Sequence, residues 1–519
     1  LLECIAAWGL KRTLQAAVGM FAFALWDTQE NELVLARDRL GEKPLYWGWC
    51  GDVLLFGSEL AALKAHPSFN ANIDRNSLAL LMRYNSIPAP YSIYEGIEKL
   101  KSGHIVRIKK GQKRSDVLPK PYWSFKDVVE AGIANPFTGN DVQAVNALES
   151  LLNQSVAGQM LADVPLGAFL SGGIDSSTIV ALMQKQSSSP IQTFAIGFDE
   201  PGYNEAVYAK EVAAHLGTNH TELYVSAKDA LAVVPKLPHI YSEPFADSSQ
   251  IPTFLVNQMA KQQVTVALSG DAGDELFGGY TPYQFAPKVW DAISKLPLSI
   301  RKPVAGLLSR LPMPNKLLKI LNVLPSKDRA DFYHILMTHW QQPEQLVLGA
   351  KPYPTVFNTP NQQPNTDCFE HWMMAMDASQ YMIDDILVKV DRAAMANSLE
   401  VRVPMLDHRV VEFAWTLPLS MKIREGKGKW VLREVLYRHV PKHLIERPKK
   451  GFSIPLAQWL RGPLKEWAET LLSETRLRND GYFNVQMVRQ TWHQHLQGKR
   501  DHALKLWGVL MFQAWLEVQ

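Results

Sequence analysis

Hydrophobic residues along the chain change their spacing near residue 140. Before that point short apolar runs alternate with polar turns: residues 19–27 and 33–36 predict the two strands of a hairpin, joined by a turn at 28–32. A second antiparallel pair is predicted around residues 45–49 and 53–57. The first part of the chain is therefore predicted to be mainly antiparallel β-sheet.

The second part of the chain alternates predicted strands with predicted helices. Strands are predicted at 164–170, 192–198 and 264–269, with helices beginning near residues 176 and 204. This alternation is typical of a doubly wound parallel sheet. The pattern beyond about residue 282 is mainly helical and predicts helices that cover the sheet and wall its site.

Residues 109–141 lie between these two patterns. They are rich in Lys, Pro, Gly and Asn and have no clear periodicity, which predicts a linker. We therefore divide the chain into a first domain, 1–140, and a second domain, 141–519.

The composition is that of an ordinary globular protein. Of 519 residues, 47% are hydrophobic and 20% are charged, and 54 basic against 51 acidic residues leave a formal charge of +3. This near balance gives no sign of the basic surface that nucleic acid binding requires. Cys4, Cys50 and Cys368 form no metal-ligand or disulfide pattern. Without a membrane-length apolar run or a secretion signal, a cytoplasmic enzyme is expected.

The most informative segment is LGAFLSGGIDSST at residues 166–178. A predicted strand runs into Ser-Gly-Gly and a helix begins at once, so backbone N–H groups and the positive helix end converge on one point that suits a phosphate. Asp175 would repel that phosphate unless a cation such as Mg²⁺ lay between them. The alternative is a strand-to-helix turn with serine caps. The chain has no Gly-Lys-Ser/Thr and no Gly-x-Gly-x-x-Gly sequence, which disfavours kinase-like transfer of a terminal phosphate.

A second segment, VTVALSGDAGDELFGGY at residues 264–280, repeats the arrangement. A predicted strand again ends in Ser-Gly, followed by three carboxylates. Taken alone, it could be an acidic surface loop. Taken with the first segment, it brings Asp274 and Asp175 to the carboxyl ends of two parallel strands, where open α/β sheets bind their ligands.

These two segments resemble those of a known family. SGGIDSS is similar to the pyrophosphate loop of the ATP pyrophosphatases, and SGDAGDELFGGY is similar to its partner in the glutamine-dependent asparagine synthetases. Other similar motifs follow in the family's order over nearly the whole chain. They are GMFAFALWD, RDRLGEKPLY (37–46), FGSEL (56–60), the stretch 243–249, VDRAAMANSLEVRVPMLDH (390–408) and RPKKGFSIP (447–455).

The resemblance implies a fold of two classes, α+β and α/β. Residues 1–140 would be a partial, truncated antiparallel-sheet glutamine amidotransferase of type 2, and residues 141–519 an ATP pyrophosphatase-type asparagine synthetase with extra C-terminal helices. In this family, ammonia from glutamine passes through an internal tunnel. The β-carboxylate of aspartate attacks the α-phosphate of MgATP to give β-aspartyl-AMP and pyrophosphate, and ammonia then displaces AMP. The implied cofactors are ATP and Mg²⁺, the implied partners are small molecules, and a homodimer is an assembly to test.

The resemblance also implies roles for individual residues. Asp175 and Asp274 would be the Mg²⁺ ligands, and Asp271 would take a proton from the incoming ammonium. Lys449, with Lys450 as its alternative, would stabilise charge on the phosphate. The implied ATP and pyrophosphate contacts are Leu170, Ser171, Gly172, Gly173, Asp175, Ser176, Ser177, Ile196, Ser269 and Gly270, and the implied contacts to the amino-acid substrate are Arg402, Asp391 and Arg392.

Without the resemblance, two of these groups have plainer interpretations. Asp384, Asp385, Lys389 and Asp391 would form a solvated helix face, and Lys449 with Lys450 an exposed basic loop.

The glutaminase half departs from the family pattern. The family's glutamine-binding motifs are absent upstream of Gly19, and Cys4, in a predicted helix at 1–8, cannot replace the nucleophile. We expect that roughly 100 residues of the family's length are missing from this chain. The polypeptide alone is then expected to lack glutamine-dependent activity while keeping ammonia-dependent synthesis, and exposed sheet edges should lower its solubility.

Two other functions remain open at this point. A homologous enzyme could amidate another carboxylate, such as a sugar acid in polysaccharide synthesis, or close a β-lactam ring. A nucleotide-binding relative could keep the fold without the chemistry; its loss would be expected at Asp175, Asp274 or Lys449, and all three residues are present.

Overall fold

Three β-sheets organise the chain in a computed structural model that describes residues 1–198, 206–308, 320–446 and 454–519. In chain order the strands are β1 Ala22–Asp27, β2 Glu32–Arg37, β3 Tyr46–Cys50, β4 Val53–Gly57, β5 Ile97–Lys99, β6 His104–Lys109, β7 Lys120–Pro121, β8 Leu166–Phe169, β9 Gln192–Phe198, β10 Asn219–Val225, β11 Val266–Leu268 and β12 Glu400–Arg402.

The first two sheets are antiparallel, as the alternating pattern predicts. One has the order β1-β2-β6-β7 and the other the order β4-β3-β5. Both predicted hairpins are present: Trp26 pairs with Leu33 across the first, and Tyr46 pairs with Gly57 across the second. The helices of this part are α1 Leu2–Trp8, α2 Leu10–Ala16, α3 Leu60–Lys64 and α4 Arg75–Tyr84.

The third sheet is parallel and has the order β10-β9-β8-β11-β12. Its inner strands are buried almost continuously, which is typical of a sheet covered on both faces. The doubly wound prediction is confirmed. The helices up to residue 308 are α5 Phe125–Ala134, α6 Asp141–Gln159, α7 Ile174–Gln186, α8 Ala206–Leu216, α9 Ala227–Leu231, α10 Leu237–Ile240, α11 Gln250–Lys261, α12 Gly273–Phe277, α13 Thr281–Ser294 and α14 Leu298–Leu308.

The rest of the described chain is mainly helical, again as predicted. Residues Asp377–Ile386 form a π-helix that leads directly into an α-helix. The helices after residue 320 are α15 Arg329–Met337, α16 Pro343–Leu346, α17 Phe369–Met376, α18 Leu387–Met395, α19 His408–Thr416, α20 Leu419–Lys422, α21 Trp430–Leu436, α22 Lys442–Ile445, α23 Leu456–Arg461, α24 Lys465–Leu471, α25 Glu474–Asp480, α26 Val485–Leu496 and α27 Ala503–Leu516. Within the described ranges, no helix combines the length and apolar composition that a membrane crossing needs.

The predicted linker at 109–141 is wrong for much of its length. Strand β7 pairs with β6, and α5 begins at Ser124, whose hydroxyl accepts a hydrogen bond from the N–H of Asp127 at 3.2 Å. Gly132 lies so close to α19 that an added Cβ would stand 2.7 Å from the backbone of Trp415. The helix also has an apolar face at helical spacing, with Phe125, Val129 and Ile133 packed into the core, a pattern that the linker prediction overlooked. The boundary at residue 140 stays a prediction.

Helix α6 begins with a reciprocal cap. Asn140 Oδ1 accepts from the N–H of Gln143 at 3.0 Å, and Gln143 Oε1 accepts from the N–H of Asn140 at 2.9 Å. We expect Asn140→Ala to lower the free energy of unfolding by about 1 kcal/mol, because the N–H of Gln143 in the first turn loses its acceptor. Urea unfolding measures this. Asn140→Asp keeps an accepting oxygen and should cost little, so equal losses in both variants would contradict the capping role.

The amino-terminal part shares a hydrophobic core with the end of the chain. Leu78 and Met82 of α4 belong to the same buried cluster as Leu506 and Leu510 of α27. The Tyr94 hydroxyl lies 2.7 Å from Gln519 Oε1. Helix α27 and the last described residue are thus packed against α4 and Tyr94 of the amino-terminal part.

Candidate active site

The first loop of the site joins β8 to α7 at the centre of the parallel sheet. The N–H of Ser171 donates to Ser176 Oγ at 3.1 Å, and the two hydroxyl oxygens lie 3.0 Å apart. Gly172 has a left-handed φ of 69°, and a Cβ there would stand 2.8 Å from the backbone of Tyr208. The N–H of Gly173 donates to Ser171 Oγ at 3.2 Å. This closely packed turn directs the positive end of a 13-residue helix toward the carboxyl edge of the sheet.

The second loop follows β11 and packs directly on the first. A Cβ on Gly270 would stand 2.5 Å from the backbone nitrogen of Ser176, so only glycine allows the two loops to approach this closely. The N–H of Ser269 donates to the backbone oxygen of Arg402 at 2.9 Å, and the Ser269 hydroxyl donates to Asp271. The structure therefore brings the predicted nucleotide residues of the two loops together.

A lysine that the sequence analysis did not single out lies between the two predicted metal ligands. Lys429 Nζ is 2.8 Å from Asp274 Oδ1 and also contacts Asp175, and only 4% of the lysine side chain is exposed. Burial lowers the pKa of the ammonium, but the two carboxylates outweigh burial and raise the pKa above its usual value. Lys429 is therefore charged at neutral pH and balances the two aspartates.

The contacts of Lys429 also show whether Asp175 and Asp274 fit a Mg²⁺ ion. One ammonium touches both Asp175 and Asp274, so a single cation can reach both carboxylates. Mg²⁺ commonly binds one or two carboxylates together with phosphate oxygens. No cluster of three or more His, Cys, Asp or Glu suited to a metal occurs among the described residues. The two aspartates thus fit a Mg²⁺ ion that arrives with a nucleotide.

A second charged group lies beside the second loop. Lys389 Nζ donates to Asp247 Oδ2 at 2.9 Å and to Ser249 Oγ at 2.8 Å, and the charge of Asp271 also acts on Lys389. Burial raises the pKa of Asp247, but the Lys389 ammonium outweighs burial and lowers this pKa to about 2. An anionic, a cationic and a hydroxyl group are therefore held together next to Asp271.

The interpretation of residues 384–391 as a solvated helix face is wrong. Asp384 is 5% exposed and Asp385 is 3% exposed. Burial raises the pKa of Asp384 to about 6 and that of Asp385 well above its usual range. These neighbouring carboxyl groups belong to the π-helix and lie in the protein interior. The sequence pattern of a surface helix would place such a run of charged residues in solvent.

Asp391 and Arg392 face the antiparallel sheets. Lys43 Nζ lies 2.8 Å from Asp391 Oδ1. Arg392 contacts Glu59 and donates to the backbone oxygen of Ser58 at 2.6 Å. The structure thus joins these two predicted substrate residues to the amino-terminal part and does not bring their side chains to the two loops.

Arg402 is also engaged elsewhere. Its side chain lies 2.6 Å from Glu400 Oε1 and donates to the backbone oxygens of Gln159 and Leu161 at 2.6 and 2.8 Å. A substrate contact by Arg402 stays a prediction.

Three further predicted residues complete the comparison with the sequence analysis. Leu170 directly follows β8 and Ile196 lies in β9, and both are buried, at 1% and 6% exposure. Lys449, like its neighbour Lys450, lies outside the described residues.

Sequence reasoning missed Lys429, Lys389 and Asp247 as parts of the site. Lys429 follows the stretch Gly426-Lys427-Gly428, which is equally typical of an exposed turn. Lys389 lies in a run that resembles a surface helix, and Asp247 lies within the motif at 243–249, which gave no individual role. No local signal distinguishes these residues, because their charges meet only in the folded chain.

The chain was compared with known proteins. A family model described as "Asparagine synthase" matches residues 147–517, and one described as "Glutamine amidotransferase domain" matches residues 1–123. The glutamine-hydrolysing asparagine synthetase 1 of Bacillus subtilis is 32% identical over 502 residues, which cover 96% of this chain and 77% of the relative. A putative glutamine-hydrolysing asparagine synthetase of Mycobacterium tuberculosis is 35% identical over 520 residues, covering 98% of this chain and 78% of the relative.

These matches extend over both kinds of sheet and include both loops of the site. The family model for the synthase covers the parallel sheet, Asp175, Asp274 and Lys429. The identity and coverage of the relatives exceed what a shared fold alone requires. The chain therefore belongs to the asparagine synthase family of ATP-dependent amidating enzymes.

Proposed function

We propose that the chain converts aspartate to asparagine, with ATP as the activating nucleotide and ammonia as the nitrogen donor. Glutamine hydrolysis supplies the ammonia in the full-length protein, which we assign to the cytoplasm. The observation that carries the proposal is the pair of packed loops, in which Asp175, Asp274 and Lys429 converge at the edge of the parallel sheet. The group formed by Asp247, Ser249 and Lys389, next to these loops, suits an amino-acid acceptor.

Nucleotide binding is assigned to the two loops. The N–H groups and hydroxyls of residues 171–177 receive the pyrophosphate portion of ATP, and the first turn of α7 adds the field of its dipole. Asp175 and Asp274 hold Mg²⁺, which neutralises phosphate charge when bound. Lys429 keeps the two aspartates close together and limits their repulsion of the phosphates.

Aspartate, the acceptor of the amide nitrogen, is assigned to the group formed by Asp247, Ser249 and Lys389. The α-ammonium of aspartate matches Asp247, and a carboxylate matches Lys389, whose Nζ lies 2.9 Å from Asp247 Oδ2. The β-carboxylate then attacks the α-phosphate: an oxygen–phosphorus bond forms and the bond to pyrophosphate breaks. This gives β-aspartyl-AMP.

Amide formation completes the reaction. Ammonia attacks the β-carbonyl of the acyl-adenylate, AMP leaves, and the nitrogen gives up one proton. Asp271 is assigned as the acceptor of that proton, since its carboxylate lies on the second loop and already accepts a hydrogen bond from the Ser269 hydroxyl.

Exchange of labelled pyrophosphate into ATP tests the proposal. We expect exchange with aspartate, little exchange with glutamate, and formation of AMP and asparagine once ammonium is added. The reaction without a carboxylate is the control. Exchange with a uronic acid but none with aspartate would indicate a sugar-acid amidotransferase, and ATP binding without exchange on any carboxylate would indicate a relative without the chemistry.

A further inference from the structure

A cavity of about 150 Å³ lies between α4, α15 and residues 351–358, in no contact with the two loops of the candidate active site. A single water needs only about 10–15 Å³, so the cavity has room for a small organic molecule. Its lining includes Asn76, Arg83, Tyr84, His334, Glu344 and Thr355. None of these residues has a role in the function proposed above.

One wall of the cavity is aromatic and firmly held. The rings of His334 and Tyr84 line the cavity, and both pack on Phe357: His334 stacks on it with centroids 4.9 Å apart at 10°, and Tyr84 lies 6.2 Å from it. His334 Nε2 lies 2.7 Å from the Tyr84 hydroxyl, which is also 3.3 Å from Thr355 Oγ1. Burial lowers the pKa of His334 to about 4, so this wall is uncharged at neutral pH. It offers ring surface and hydroxyl groups.

The opposite side of the cavity carries charges of both signs. Arg83 Nη2 lies 2.7 Å from Glu344 Oε1, with 16% and 25% of the two side chains exposed. Arg83 also donates to the backbone oxygen of Gln341 at 3.2 Å, which fixes the direction of the guanidinium group. A ligand that carries a carboxylate next to an ammonium would pair with both side chains at once.

We propose that this cavity binds an α-amino acid. The carboxylate of the ligand meets Arg83, its ammonium meets Glu344, and its side chain lies against the rings of Tyr84 and His334. A simple anion satisfies Arg83 but leaves Glu344 without a new partner, and an apolar molecule leaves both charges unused. The zwitterion is the ligand class that pairs with both Arg83 and Glu344.

The position of the cavity identifies the ligand as an effector rather than a substrate. Tyr84 is the last residue of α4, and the backbone oxygen of the next residue, Asn85, accepts from the N–H of Ala246 at 2.8 Å. Ala246 precedes Asp247, which belongs to the proposed acceptor group. A ligand at the end of α4 therefore acts through Asn85 on the segment that holds the proposed acceptor group. It does not touch that group itself.

Binding of free amino acids to the whole chain tests this proposal. The twenty L-amino acids are screened by saturation-transfer NMR, and those that give a signal are titrated by calorimetry. We expect at least one amino acid to bind the wild-type chain, Arg83→Gln to raise its dissociation constant ten-fold or more, and exchange of pyrophosphate into ATP to stay unchanged. Arg478→Gln removes the arginine of an exposed ion pair with Glu474 and is the matched control.

A second variant keeps the test valid if Arg83→Gln does not fold. Glu344 is the more exposed partner, and Glu344→Gln should weaken the same ligand by a similar factor. The proposal is overturned if no amino acid binds, or if the dissociation constant is the same in the wild type and in either folded variant. Because binding is measured without ATP and without turnover, this result does not depend on whether aspartate is the acceptor.

Discussion

Replacement of Asp175 by Asn should lower the exchange of pyrophosphate into ATP by about 1000-fold or more. The change keeps the size of the side chain but removes one of the two charges that face Lys429. The pair that remains carries no net charge and binds Mg²⁺ poorly, so the negative charge of the reacting phosphates is no longer balanced. Exchange measured at several Mg²⁺ concentrations should show a raised metal requirement as well as a lower rate.

Two further variants make the Asp175 result specific. Asp274→Asn should lower the exchange rate by a similar factor. The double variant should lower it by much less than the product of the two single factors, because both residues serve one cation. Asp163→Asn makes the same chemical change at an exposed position and should leave exchange unchanged. Full exchange in Asp175→Asn would show that the metal and phosphate site lies elsewhere.

Replacement of Lys422 by Met should stabilise the protein at neutral pH. Lys422 is fully buried, and its Nζ lies 4.2 Å from the centre of the Trp415 ring with no hydrogen-bond partner among the described residues. Burial lowers the pKa of Lys422 to about 7 from 10.5, with the charge of Cys368 acting in the opposite direction. A shift of this size corresponds to a cost on the order of 4 kcal/mol for the charged form.

The pH dependence gives the sign of this effect. Between pH 7 and 10.5 the unfolded chain keeps its proton on Lys422 while the folded chain has lost it, so this lysine makes stability rise with pH. The advantage of Lys422→Met in urea unfolding should therefore be largest at pH 7 and below and shrink by a few kcal/mol toward pH 10. Lys288→Met, at an exposed position, should show no such trend. A variant that is less stable at every pH would mean that the Trp415 ring stabilises the charged amine.

Sequence patterns predicted much of the fold because local chemistry determines it. The hairpin of β1 and β2 follows from two apolar runs joined by a polar turn, and the loop before α7 follows from an apolar strand that ends in Ser-Gly-Gly. Strand β12 escaped prediction because three residues, Glu400–Arg402, carry too little pattern. Helix α5 escaped although Phe125, Val129 and Ile133 have helical spacing, because the surrounding sequence, rich in Lys, Pro, Gly and Asn, predicts a linker.

The candidate site was predictable only where its residues follow a predicted strand of the parallel sheet. Asp175 and Asp274 each follow a strand, and parallel strands place such residues at one edge of the sheet. Lys429 reaches them from 254 residues beyond Asp175, and nothing near it in sequence indicates a buried charge. The prediction for Asp391 and Arg392 relied on a motif match, and their side chains instead join helix α18 to Lys43 and Glu59.

The shared core of α4 and α27 has a consequence for synthesis on the ribosome. Leu78 and Met82 are translated more than 400 residues before Leu506 and Leu510, with which they pack. Until the last helix emerges, α4 exposes an apolar face that the nascent chain cannot cover with its native partner. Contacts of such long sequence separation slow folding. The amino-terminal sheets can form early, but α4 can pack against α27 only after α27 has been translated.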